Sequence, residues 1–120
     1  MARVLIVEDL EELCVALSKL ISRSGYQTVC ATNIDDAKKA AAAEQYDVAV
    51  IDATLGKDSG LELVRSLSAI YPKLRFIVMS GYSRAHLRMT LNKRTTFLPK
   101  PFAPGKLLEC IREIVEKRVA

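Results

Sequence analysis

Apolar residues gather along this chain in short unbroken runs, separated by polar stretches with a helical repeat. The runs are VLIV (4–7), TVCA (28–31), VAVI (48–51), FIVM (76–79) and TFL (96–98). Their length and their β-branched content predict strands. Residues 10–23 place Leu10, Leu13, Leu17, Leu20 and Ile21 on one stripe, with Gly25 as a stop, which predicts a helix. An Ala-rich helix is expected over 34–45, with Asn33 as its N-cap. Residues 60–71 open on the capping-box spacing Ser59-x-x-Glu62 and end before Pro72. Two more helices are expected, over 84–94 behind Ser83 and over 105–118 behind Pro104.

Strand and helix therefore alternate five times. That alternation predicts parallel strands joined by helical crossovers, with helices on both faces of one sheet. Strands that are apolar throughout fit a sheet covered on both sides. Residues 1–120 read as one domain, without repeats or linkers.

Four of the runs break off in a polar residue. VLIV ends in Glu8-Asp9, VAVI in Asp52, FIVM in Ser80, and TFLP in Lys100. Open parallel sheets bind ligands outside the carboxyl ends of their strands, so these side chains are expected at one edge. Three carboxylates brought together repel unless a cation neutralises them. Oxygen ligands without His or Cys favour a hard ion, Mg²⁺ or Mn²⁺ in its place. Lys100 suits a phosphate as a point charge, and Ser80 with Gly81 can offer donors to phosphoryl oxygens. A carboxylate can itself attack phosphorus, and Asp52 is the best placed to do so.

Composition narrows the setting. No apolar run approaches the roughly 18 residues of a membrane span, so no membrane insertion is expected. MARVLIVEDL carries acids where an export signal would be apolar, which suggests a cytoplasmic protein. Cys14, Cys30 and Cys110 are widely spaced and read as buried thiols in a reducing compartment. The net charge of +4 is concentrated in residues 84–94, where Arg84, Arg88, Lys93 and Arg94 stand without an acid. No aromatic residues interleave with them, so direct nucleic-acid binding is not expected.

The stretches VLIVED (4–9), VIDATLGKDSGLEL (50–63), VMSGY (78–82) and FLPKPF (97–102) resemble those of response-regulator receiver domains, over essentially the full chain. The resemblance implies a flavodoxin-like (βα)5 three-layer α/β sandwich with a parallel five-stranded sheet in the order 2-1-3-4-5. It implies Asp52 as phosphoacceptor in a two-component phosphorelay, with Mg²⁺ held by Glu8, Asp9, Asp52 and the Thr54 backbone carbonyl. Ser80 would be the switch hydroxyl, Lys100 the phosphoryl partner, Phe97 the aromatic switch residue, and Lys100–Pro101 a cis peptide. Thr54 and Tyr82 would tune how readily water attacks the phosphoaspartate. The phosphodonor would be a histidine kinase or a histidine phosphotransfer protein. The domain would catalyse its own phosphorylation and its own dephosphorylation.

Some positions depart from the common pattern. Glu8 stands where Asp is frequent, and Phe97 lacks the hydroxyl of the frequent Tyr. Gly56 takes the place of a frequent Pro and is expected to loosen the loop before Ser59. The fourth helix, fifth strand and fifth helix would form the output face. Residues 84–94 would there meet an acidic partner, or Glu109, Glu113 and Glu116 of a second copy. A chain ending with the fifth helix suggests no output domain, which leaves a stand-alone receiver, one excised from a DNA-binding regulator, or one cut from a hybrid sensor kinase; the stretches SGY and FLPKPF resemble receivers of hybrid sensor kinases. The competing reading is an interaction module on the same fold that works without phosphorylation. A haloacid-type phosphatase would need its nucleophile after the first strand, and a flavodoxin-like flavin binder would need a phosphate loop where the acids stand.

Overall fold

The computed structural model describes residues 2–81 and 94–119. Five parallel strands form the main sheet: β1 (Arg3–Val7), β2 (Gln27–Ala31), β3 (Val48–Asp52), β4 (Arg75–Ser80) and β5 (Thr95–Pro99). They lie in the order β2-β1-β3-β4-β5, as expected. The described helices are α1 (Glu11–Ser22), α2 (Ile34–Ala43), α3 (Gly60–Ile70) and α4 (Pro104–Val119). The helix expected over 84–94 lies outside the described residues, as does Tyr82.

Alternation along the strands divides the core in two. Leu5, Val7, Ala49, Ile51, Phe76 and Val78 point to one face and pack against Ala37 and Ala41 of α2 and Leu63, Val64 and Leu67 of α3. Val4, Ile6, Val48, Val50, Ile77 and Met79 point to the other, against Cys14, Leu17 and Ile21 of α1 and Leu107 and Ile111 of α4. Both faces are covered, which is why these strands read as apolar throughout. Each fully buried large aliphatic side chain contributes about 1.5–3 kcal/mol.

Two helix starts follow the sequence. The Asn33 side chain accepts from the Asp36 amide at 2.8 Å, and Ser59 Oγ accepts from the Glu62 amide at 3.4 Å. The carboxylate of Glu62 turns outward to Arg65 instead of closing the capping box.

The stripe of α1 is shifted from the expected one. Leu10 precedes the helix and is exposed, Leu13 is exposed too, and Cys14 takes the inward position. The helix begins one residue later than expected, and its face toward the sheet runs through Cys14, Leu17 and Ile21. Cys30 is exposed and Cys110 half-buried, which corrects the reading of three buried thiols. Cys30 lies on β2, an edge of the sheet, where the covering helix leaves side chains open to water.

Gly56 also differs from expectation. Thr54–Leu55 pairs antiparallel with Asp58–Ser59, leaving a two-residue turn of Gly56 and Lys57. Gly56 has a φ of +63°, the conformation that a tight hairpin turn with Gly at its first central position requires. The glycine builds a ribbon there instead of loosening a loop.

Candidate functional site

Parallel strands bring their carboxyl ends to one edge, and β1, β3 and β4 deliver Glu8, Asp52 and Ser80 there. All three are buried, at 1%, 5% and 3% exposure, although they are polar. Backbone bonds fix the edge. The Glu8 amide donates to the Ala31 carbonyl at 3.1 Å, and the Ala53 amide to Met79 at 2.9 Å. The Lys100 amide donates to the Ser80 carbonyl at 2.8 Å, seating the lysine beside β4.

Asp52 is at the centre. Its Oδ2 lies 2.5 Å from Lys100 Nζ, and its Oδ1 accepts from the Thr54 amide at 2.9 Å. Oxygens of Glu8, Asp9 and Asp52 lie within 4.8 Å of one another. The acidic pair is unequal, with Glu8 buried and Asp9 exposed. Glu8 Oε2 is buried with no hydrogen-bond partner among the described residues. Burial is the main reason that its carboxyl is pushed from the ordinary 4.5 up to about 8. The Asp52 carboxylate beside it and the charge of Asp9 push the same way, and Lys100 opposes them. Oxygen donors this close, one of them buried and unpartnered, fit a hard cation that keeps part of its water.

Gly60 is a residue that strand-end reasoning missed. A Cβ on it would fall 1.9 Å from the Asp52 carbonyl oxygen, and its amide donates to the Ala53 carbonyl at 2.8 Å. Only glycine lets α3 begin so close to Asp52. The visible signal was a glycine at a first helical position, where propensity disfavours it. Gly56 also faces the site, its absent Cβ being 3.8 Å from Asp9 Oδ2.

Of the other expected site residues, Thr54 follows Asp52 closely and is exposed. Phe97 is half-buried on β5 and packs against the core on the α2 and α3 side. The Lys100–Pro101 peptide is cis, as expected. Of the basic residues expected in 84–94, Arg94 is described, and it is engaged within the fold instead of free for docking; the others lie outside the described residues. Its guanidinium donates to the carbonyls of Tyr71 at 2.9 Å, Leu74 at 3.0 Å and Ser68 at 2.8 Å, and to Ser68 Oγ. It closes the carboxyl end of α3, where unpaired carbonyls and the helix dipole attract a cation.

The model of the response regulator receiver domain matches residues 4–112. The chain belongs to the response-regulator receiver domains. Its receiver relatives include the chemotaxis protein CheY of Thermotoga maritima, 26% identical over 93% of this chain and 96% of that protein. Sensor kinase CckA of Brucella abortus is 28% identical over 98% of this chain, which spans 13% of that protein. Among solved structures, the CheY-like receiver domain from Methanospirillum hungatei superposes with a TM-score of 0.88 at 22% identity, covering 98% of this chain and 95% of that one. The response regulator TrrA of Thermotoga maritima, solved in complex with Mg²⁺ and BeF, has a TM-score of 0.82 at 25% identity, covering 95% of this chain and 99% of that one. Receiver domains are the response-regulator modules of two-component signalling, interact with histidine kinases or phosphotransfer proteins, and generally bind Mg²⁺. No described helix of this receiver domain is long and apolar enough to cross a membrane.

Proposed function

We propose that this receiver domain accepts a phosphoryl group on Asp52 from a phosphohistidine of a histidine kinase or phosphotransfer protein. The observation that carries the reading is one buried carboxylate held by Lys100 at 2.5 Å, with Glu8 and Asp9 oxygens beside it. In the reaction an Asp52 oxygen attacks phosphorus, the phosphorus–nitrogen bond to the imidazole breaks, and the imidazole leaves with the electron pair. Catalysis consists of positioning and charge neutralisation. Glu8, Asp9, Asp52 and the Thr54 carbonyl would hold Mg²⁺, which neutralises phosphoryl oxygens when bound. Lys100 shifts from the Asp52 carboxylate to a phosphoryl oxygen, and the Ser80 hydroxyl donates to another. Hydrolysis by water resets the domain, at a rate that Thr54 and Tyr82 would tune.

A donor protein reaching Asp52 has to cover the surface next to it. That surface carries the exposed Leu10 and Leu13. Beyond Lys100 it continues into an apolar groove of about 730 Å³, lined by Leu17, Leu20, Phe102 and Pro104 among others. Phosphorylation adds roughly two negative charges beside Ser80 and Lys100. As Ser80 moves toward them, Phe97 turns inward and biases β5, α4 and the neighbouring segment 84–94 toward a partner or a second copy. We take residues 1–120 as one domain, of the kind that also occurs within hybrid sensor kinases.

The test is labelling by acetyl phosphate with and without Mg²⁺. Wild type is expected to gain one phosphoryl group only with Mg²⁺, and Asp52→Asn none. Labelling of Asp52→Asn at the wild-type level refutes the assignment.

A further inference from the structure

The Cys14 and Cys30 thiols take no part in the chemistry above, and the two residues lie against each other. Helix α1 crosses β2 so that residues four apart on the helix meet residues two apart on the strand. One such rung is direct, with Ser18 Oγ and Thr28 Oγ1 2.6 Å apart. The adjoining rung pairs Cys14 with Cys30. There Cys30 Sγ donates to the Cys14 carbonyl at 3.1 Å. Cys14 Sγ lies 3.7 Å from the Ile6 carbonyl and 3.8 Å from that of Ala31, the residue after Cys30. The two sulfurs differ in access, since Cys14 is fully buried and Cys30 exposed.

We propose that Cys14 and Cys30 form an oxidisable dithiol, a modification site that closes to an intramolecular disulfide in the presence of a hydroperoxide. The exposed Cys30 reacts first. Its thiolate attacks one peroxide oxygen, the O–O bond breaks, and Cys30 becomes a sulfenic acid while the second oxygen leaves as water after protonation. Cys14 then attacks the Cys30 sulfur, the S–O bond breaks, the S–S bond forms, and a second water leaves. Two thiols and one hydroperoxide thus give one disulfide and two molecules of water, or one water and an alcohol from an organic peroxide. Burial pushes the Cys14 thiol up to about 12, so the second step is the slow one and the sulfenic acid accumulates before it. The product ties α1 to β2, next to the Ala31 carbonyl that receives the Glu8 amide.

Reduced full-length protein treated with hydrogen peroxide is digested and read by mass spectrometry. The expected product is a peptide joining Cys14 to Cys30, lost on adding dithiothreitol and preceded by dimedone labelling at Cys30. Cys110→Ser retains the joined peptide, and Cys30→Ser, a change at an exposed position, abolishes it while leaving Cys14 a free thiol. Oxidation of Cys30 to sulfinic acid with Cys14 still reduced overturns the proposal. A product that joins Cys30 residues of two chains overturns it as well.

Discussion

Replacing Glu8 by Gln tests the electrostatics of the site without changing its shape. The amide is nearly isosteric with the protonated carboxyl and cannot ionise. In the folded protein without metal, the Glu8 carboxyl is held at about 8 against an ordinary 4.5. A carboxyl raised on folding binds more protons folded than unfolded, so stability falls as pH rises between those two values. At 1.36 kcal/mol per unit, these values imply a loss of about 2 kcal/mol between pH 5.5 and 7 from Glu8 alone. The loss levels off only above the folded value of about 8. Glu8→Gln removes this slope. Urea unfolding from pH 5.5 to 8.5 in EDTA is expected to show the variant gaining on wild type as pH rises, by about 2 kcal/mol over the first one and a half units. Added Mg²⁺ should reverse the order, stabilising wild type more than the variant, because the ionised Glu8 is then a ligand. If the two proteins lose stability in parallel across this range, Glu8 is already ionised in the folded state and the account of its burial is wrong.

Other substitutions probe the frame around the site. Gly60→Ala drives a methyl group to within 1.9 Å of the Asp52 carbonyl oxygen, so a shift in α3 or β3 and a loss of about 2 kcal/mol or more are expected in urea unfolding. An unchanged midpoint would mean that α3 can slide away freely. Arg94→Ala leaves the carbonyls of Ser68, Tyr71 and Leu74 without their shared cation and is expected to cost about 3 kcal/mol. If Arg94 acted as a free docking charge instead, the same variant would keep its stability and lose only salt-dependent association. Asn33→Ala removes the bond to the Asp36 amide and should lower stability by about 1 kcal/mol, read as a drop in melting temperature.

Much of the architecture was legible because strand and helix have different periods. VLIV, VAVI and FIVM could be read as strands buried on both faces, and they occupy β1, β3 and β4. The same runs announced the site by ending abruptly in Glu8, Asp52 and Ser80, since polar residues closing several parallel strands gather at the carboxyl edge, where such sheets bind ligands. The Asn33 cap was visible for a local reason, because its partner is three residues away.

Contacts between distant segments were not legible. Residue types show which side chains prefer burial, but not how a helix is rotated by the elements it packs against. Thus Leu13 was expected inside and Cys14 occupies that position, because packing on β1 and β2 sets the rotation of α1. Arg94 looked like one more charge in a basic cluster until the return of the chain to β5 placed it over the end of α3. Cys14 and Cys30 became a pair only through the crossing of α1 over β2.

The order of residues by itself therefore determined the five strands of the main sheet, the four described helices, the class of fold and the identity of the charged groups. Tertiary structure alone decided that Glu8 is sealed from water while its neighbour Asp9 is not. Adjacent residues at a strand end point to opposite sides, and only the packing of the remaining chain settles which side is dry.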